Sequence, residues 1–419
     1  MTSALALVSP SDHRRAAVVG LFLVAFALRL AVIVWTVGLG TDPSAEPASD
    51  SRIHMAIVRN LLAGQGFAHD GEPVATTPPL YVFFLAGLYA LGAPPAVVRL
   101  LQALLGAAGC VLLYAVGRAL FDPRTGQAAA ALFAVHPALV YVAGLHLTEN
   151  LFLPLLLLVL LQAARLPSRP TNLRAAALGA TLGLAALSRA AFLAFFPFLL
   201  LWVAFTWGIR SAAAYRVAAL VGLGYVLVLL PWTVRNALVL QAFVPVQSNG
   251  GLVFWAANNP HADGGLVWPT RRTWTASRPP DDGHYGWRDL NASQENALYV
   301  GEAVRWIREH PQDYLRLLAQ KLARLYGFAR VADGQDLHVP LAVKGFHVAL
   351  YGLAAVGAFL TVLRRRPLAM LALLFVSTNV VALLFGGGSR YAIPMVPSLV
   401  LWAAFALSEV WRWASEASR

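Results

Sequence analysis

Acids are scarce in this chain, 20 Asp and Glu in 419 residues, so two of them invite a chemical reading. Asp50 stands in Ser49-Asp50-Ser51-Arg52-Ile53-His54, and Glu149 in Leu145-His146-Leu147-Thr148-Glu149-Asn150, a short polar break between two apolar runs. A Glu between apolar runs is expensive unless it is paired or used. Two carboxylates meeting on one surface could serve a transfer reaction. One would take a proton from an attacking hydroxyl, and the other would orient the acceptor or hold a cation. The plainer expectation for both is a helix N-terminus, with Ser49 or Asp50 as the cap and Glu149 favoured by the helix dipole. His54 and His146 could join Glu149 as ligands of a divalent metal, the one cofactor considered; no organic cofactor is expected.

The elements that must carry these residues are helices. Ile53, Ile57 and Leu61 recur every four residues, which predicts a short helix starting near Asp50 and stopping near Gly64. Apolar runs predict about ten transmembrane helices, at 17–37, 96–117, 127–145, 150–165, 173–188, 190–208, 214–232, 341–363, 367–386 and 393–411. The run from Pro79 to Gly92 is apolar but too short for a full crossing, and is read as re-entrant or interfacial. Basic residues then fall on alternate loops: Arg14 and Arg15, Arg118 and Arg124, Arg165, Arg169 and Arg174, Arg210 and Arg216, Arg364 to Arg366, and Arg412. The positive-inside rule puts those loops in the cytoplasm. It leaves 38–95, 146–149 and 233–340 together on the opposite face. Residues 311–328 read as an amphipathic interfacial helix, with Tyr314, Leu318, Leu322 and Leu325 in one stripe. Three regions follow: 1–232, a transmembrane module with the external loop 38–95; 233–340, an external region; and 341–419, the last membrane helices.

Composition agrees. The chain is 58% hydrophobic and 12% charged, about half the charge of a soluble domain. That excludes a soluble enzyme, a disordered protein and a nucleic-acid-binding module. The net charge of +12 is nearly all Arg, since Lys occurs only at 321 and 344, and it belongs to the loops. A lone cysteine, Cys110, permits no internal disulfide. Arg29, inside the first apolar run, is either paired or functional. His136 before Pro137 reads as a packed polar residue. Asn291-Ala292-Ser293 fits a glycosylation sequon. His261, Asp263 and the tryptophans 255, 268, 274, 287 and 306 could contact an acceptor, or serve as loop core and interface anchors.

Several stretches resemble the GT-C glycosyltransferases. They are Asp50 through Gly64-Gln65-Gly66-Phe67 to Thr77-Pro78-Pro79-Leu80-Tyr81, then Arg118-Ala119-Leu120-Phe121-Asp122-Pro123-Arg124, Thr148-Glu149, Pro231-Trp232-Thr233-Val234-Arg235-Asn236 and Asn258-Asn259-Pro260. The nearest likeness is to the protein O-mannosyltransferase and aminoarabinose (lipid A) transferase group, families 39 and 83. The family often carries Asp-Glu at the first motif and a Tyr four residues after that Asp; here Asp50-Ser51 and His54 stand there.

The resemblance implies an all-α polytopic membrane protein of GT-C type, with juxtamembrane helices in the first external loop and a larger external loop. It implies a membrane glycosyltransferase with Asp50 as base and Glu149 as the acid of the second external loop. The donor would be a sugar on a polyprenyl phosphate, and the acceptor a glycan, lipid or protein hydroxyl. The leaving lipid phosphate needs cations rather than a strong acid. Arg189, Arg235, Arg390, Lys321 and Arg324 are the expected sources, Arg189 and Arg390 first among them, with snorkelling as the alternative. Arg52, His54, Tyr81, Asn258 and Asn259 complete the expected substrate contacts. The expected place is a bacterial inner membrane with the site facing outward and both termini inside; the lipid bilayer is a partner and nucleic acid is not. A lipid-linked saccharide flippase or transporter, and a polysaccharide polymerase or ligase, are the rival readings. The first is disfavoured by the lack of an inverted repeat.

Overall fold

A computed structural model describes residues 10–269, 290–327 and 341–418. The described residues are almost wholly helical; their only sheet is a two-stranded hairpin, β1 (Ala68–His69) and β2 (Glu72–Pro73). Each expected apolar run is helical. In chain order come α1 (Pro10–Thr36), the first-loop helices α2 (Ser49–Leu62) and α3 (Pro79–Ala90), α4 (Pro95–Leu120), α5 (Pro123–Ala134) and α6 (Pro137–Val142). Then follow α7 (Glu149–Arg165), α8 (Asn172–Ser188), α9 (Phe195–Trp207) and α10 (Ala212–Leu240). Next come α11 (Gly250–Ala256), α12 (Ala292–Glu309) and the amphipathic α13 (Pro311–Leu325), then α14 (Leu341–Leu363), α15 (Ala369–Phe385) and α16 (Val396–Ala417).

Among the described residues, six helical stretches are long and apolar enough to cross a membrane: 16–36, 95–120, 190–207, 212–240, 341–363 and 390–417. This is an integral, multi-pass membrane protein. Four of the expected crossings are shorter. Residues 127–145 are not one helix. Pro137 lacks an N–H and forces His136 into extended backbone (φ −63°, ψ 114°), so the run divides into α5 and α6. α7, α8 and α15 have 17 residues each, a rise of about 25 Å against a ~30 Å hydrocarbon layer. α3, the segment read as re-entrant, has 12 residues and rises about 18 Å. It packs on α2 and α8, with Tyr81, Val82 and Leu85 fully buried.

Local chemistry sets the helix starts. Asp122 accepts from the backbone N–H groups of Arg124 (2.9 Å) and Thr125 (3.0 Å) and caps α5. Ser211 caps α10, and Asn291 forms a capping box with Gln294 at the start of α12. Small residues bring helices into backbone contact. A Cβ at Gly179 would stand 1.9 Å from the Val221 carbonyl oxygen, and one at Gly357 would stand 1.8 Å from that of Trp402. These contacts fuse α8 to α10 and α14 to α16, close approaches that membrane bundles favour.

The two ends of the bundle differ in charge. At one end Glu409 of α16 pairs with Arg364 (3.2 Å) and Arg412 (2.9 Å), and Arg124 stacks on Trp411 (4.4 Å). The starts of α2 and α7, the end of α8 and the residues entering α16 meet at the opposite end.

Candidate active site

Four chain segments converge on one ion cluster. Arg390, six residues before α16, donates from Nη1 to Asp50 Oδ2 (2.8 Å), from Nε to Glu149 Oε1 (2.8 Å) and from Nη2 to Glu149 Oε2 (3.1 Å). Arg189, at the end of α8, donates from Nη1 to Glu149 Oε1 (2.8 Å) and from Nη2 to the Arg390 carbonyl (3.0 Å). Thr148 Oγ1 donates to Glu149 Oε2 (3.3 Å). The Glu149 oxygens therefore have four donors between them, which is how a carboxylate on a membrane helix is made tolerable.

The two acids are not equivalent. Glu149 is fully buried as the first residue of α7, where the helix dipole also favours negative charge. Burial alone would raise its pKa. The Arg390 and Arg189 guanidinium groups outweigh that and hold it well below the ordinary carboxylate range. Asp50 lies in the first turn of α2 with its side chain 44% exposed. It does not cap the helix: Ala48 occupies the cap position, and neither Ser49 nor Asp50 caps with its side chain. The arrangement thus offers one reachable carboxylate paired with Arg390, and one enclosed carboxylate that fixes both arginines.

Behind the cluster is a second polar network centred on Glu46, which was not singled out from the sequence. Glu46 Oε1 accepts from Arg99 Nη2 (2.7 Å) and His146 Nδ1 (2.7 Å), and its Oε2 accepts from the His146 backbone N–H (2.8 Å). Arg99 also binds the carbonyls of Leu39 (2.7 Å), Thr41 (2.8 Å) and Gly144 (3.1 Å). Gln102 binds those of Ala143 and Leu145, and Asn150 those of Val142, Leu145 and Leu147. Every one of these bonds ends on residues 142–147, just before Glu149, or on the segment between α1 and α2, so the network holds Glu149 in place. Two signals could have found it. Glu46 is a rare acid only four residues before Asp50, and Arg99 is a charge inside an apolar run.

His54 lies beneath Asp50, buried, with Nδ1 bonded to the His146 carbonyl (2.9 Å) and its ring edge-on to Tyr81 (5.5 Å). Burial pushes its pKa down and favours the neutral ring. Tyr81 is buried as well, its hydroxyl donating to Gln102 Oε1 (2.5 Å). Of the metal candidates, His146 spends Nδ1 on Glu46 and Nε2 on the Tyr89 hydroxyl (3.2 Å), and Glu149 is filled by arginines. His54, His146 and Glu149 therefore do not form a ligand set. Among the described residues no three His, Cys, Asp or Glu gather as a metal site.

Other expected contacts are placed elsewhere. Arg52 is exposed on α2, with Nη1 3.4 Å from the Glu46 carbonyl. Arg235 lies near the end of α10 and binds the carbonyls of Val74 (2.9 Å) and Phe67 (3.0 Å), stacked over Trp232 (5.0 Å). It fastens the hairpin of the first loop and does not reach the acids. Asn259 is buried and binds the carbonyls of Trp255 and Ala256, and Asp263 pairs with Arg324 of α13. Asn258 and Lys321 bind each other (2.7 Å) at the end of α15, both enclosed. Trp255 is buried and Trp268 is partly exposed, while Trp274 and Trp287 lie outside the described residues. Arg29 is buried in α1 and binds the carbonyls of Ala25 and Ala134 without a carboxylate partner among the described residues.

The chain is similar to several known proteins. Residues 76–234 match the dolichyl-phosphate-mannose-protein mannosyltransferase family. No curated protein matches. Among solved structures, the Archaeoglobus fulgidus oligosaccharyltransferase in complex with Zn and sulfate is similar at a TM-score of 0.56 and 17% identity, over 94% of this chain and 49% of that one. The oligosaccharyltransferase AglB of the same organism, in complex with an inhibitory peptide and a dolichol-phosphate, is similar at 0.53 and 17%, over 97% and 52%. ArnT from Cupriavidus metallidurans bound to undecaprenyl phosphate scores 0.41 at 16% identity, over 93% and 78%. The chain spans about half the length of the archaeal structures.

Proposed function

We propose that this chain, a GT-C superfamily glycosyltransferase, transfers a sugar from a polyprenyl-phosphate-linked donor to an acceptor hydroxyl, with Asp50 as the general base. The carrying observation is the asymmetry of the cluster. Asp50 is the reachable acid, held by Arg390 alone, and Glu149 is buried under Arg390 and Arg189.

In the reaction the acceptor oxygen attacks the anomeric carbon as the bond from that carbon to the phosphate oxygen breaks. The hydroxyl proton passes to the Asp50 carboxylate, and the bonding pair leaves with the lipid phosphate. Arg390 and Arg189 are the cations placed to meet the departing charge. Each already has a carboxylate partner, and a phosphate arriving beside them would share Arg390 with Asp50 and both guanidinium groups with Glu149. Attack from the face opposite the phosphate inverts the anomeric centre. The setting we propose is a bacterial inner membrane with the site facing outward; the arginines at the other end of the bundle support that orientation.

The test is reconstituted protein supplied with labelled polyprenyl-phosphate sugar. Release of free polyprenyl phosphate, lost in Asp50→Asn with folding intact, supports transfer. Movement of the intact donor across the bilayer without bond cleavage would sink it in favour of transport.

A further inference from the structure

Lys321 is one of only two lysines, and it is fully buried. Its Nζ donates to Asn258 Oδ1 (2.7 Å) and to the Leu383 carbonyl (2.7 Å), and no carboxylate among the described residues pairs with it. A buried cation without a counter-ion is costly, so its setting needs a reason. Leu383 lies in the last turn of α15, whose final carbonyls have no partner within the helix. Asn258, just beyond α11, donates from Nδ2 to the next of these carbonyls, Leu384 (2.8 Å). Lys321 and Asn258 are thus a two-residue cap on α15, bonded to one another.

The chain continues from that cap directly into Gly386-Gly387-Gly388-Ser389-Arg390. The Gly387 N–H donates to the Gly264 carbonyl (2.9 Å). A Cβ on Gly387 would stand 2.0 Å from the Lys321 carbonyl oxygen, so only glycine lets the turn lie flat on the α13 backbone. Arg390 follows three residues later and reaches across to Asp50 and Glu149. We propose that Lys321 and Asn258 are positioning residues, which register the Arg390 guanidinium against the two acids by clamping the end of α15 to α11 and α13. The external region is then not merely a cover: it sets where the site's central cation sits. The inference rests on the transfer reading for its functional consequence, and on geometry alone for the clamp.

The experiment uses the full chain in lipid nanodiscs, without substrate. Lys321→Met keeps the aliphatic stem and removes the donors. Amide exchange at 386–391 rises about ten-fold or more, while peptides of α4 are unchanged. Arg316→Ala, exposed on the same helix, leaves the turn as in the wild type. Asn258→Asp keeps the acceptor for Lys321 but loses the donor to Leu384, and loosens the same peptide; it carries the test if Lys321→Met does not fold. In transfer assays Lys321→Met lowers kcat by about a hundred-fold, as expected for a misplaced group. In an Arg390→Ala background the same substitution has little further effect. Unchanged exchange at 386–391 in both variants overturns the clamp, and losses that multiply with those of Arg390→Ala overturn the positioning role. A wild-type protein that exchanges as expected but transfers nothing would count against the transfer reading alone.

Discussion

Glu149→Gln isolates the charge of the buried acid while preserving its shape. The wild-type carboxylate accepts three arginine hydrogen bonds, from Arg390 Nε, Arg390 Nη2 and Arg189 Nη1. At about 1.5–3 kcal/mol for each bond to a charged group, their loss would be large if simply additive. However, Arg390 keeps Asp50 and Arg189 keeps the Arg390 carbonyl. The cost of breaking a buried pair, about 3–5 kcal/mol, is therefore the better guide to lost stability. The amide also turns a donor toward guanidinium groups that are themselves donors, so Arg390 should swing away. One displaced cation beside the leaving group costs about 10²–10³-fold in kcat. The assay pairs denaturant unfolding in detergent with single-turnover release of polyprenyl phosphate. Glu149→Asp, which retains the charge but shortens the side chain, should recover part of both losses. Equal stability and equal turnover for Glu149→Gln and wild type would refute the reasoning.

On the proposed reading of Asp50 as base, Asp50→Asn should lower transfer by about 10²–10⁴-fold, while costing no more than about 1 kcal/mol of stability, because its pair with Arg390 is half-exposed; activity and unfolding measured on one preparation check both. Glu46→Gln leaves Arg99 buried without its carboxylate and frees the loop before Glu149, so stability should fall by about 3–5 kcal/mol in the same unfolding assay although Glu46 touches neither Asp50 nor Arg390. Acidification gives a third check. The folded pKa of Glu149 is depressed, so its stabilising share is complete above the unfolded carboxylate value and fades only as pH falls through the lower folded one; the difference in stability between wild type and Glu149→Gln should be flat from about pH 5 to 8. Lys321 behaves oppositely, since burial pushes its pKa down to about 7. The unfolded chain then holds the extra proton above that value, so stability relative to Lys321→Met should climb between about pH 7 and 10, by at most about 1.4 kcal/mol per pH unit, and be level below pH 7.

Much of the fold was legible because hydrophobic runs dominate a chain whose solvent is lipid. All ten apolar runs are helical, and the Pro79–Gly92 segment forms the short α3. The division of 127–145 was signalled by Pro137, but length and apolarity outweighed it in the reading. Asp50, Glu149, Arg189 and Arg390 were legible as charges at run ends, and they meet. Glu46 and Arg99 escaped because each is explained only by the other, 53 residues away. Lys321 stood out as a cation, but its burial against α15 depends on how α13 docks, and local pattern does not contain that. Arg235 likewise looked available, and it is spent on the Phe67 and Val74 carbonyls.

The distance along the chain between Asp50 and Arg390, 340 residues, has a bearing on biosynthesis. While the ribosome is still making the last helices, Asp50 has no arginine to face, and Glu149 has only Arg189. A chain that has already made α1 to α15 therefore still carries an acid pair short of one guanidinium. The stretch entering α16 supplies that guanidinium and balances both acids at once.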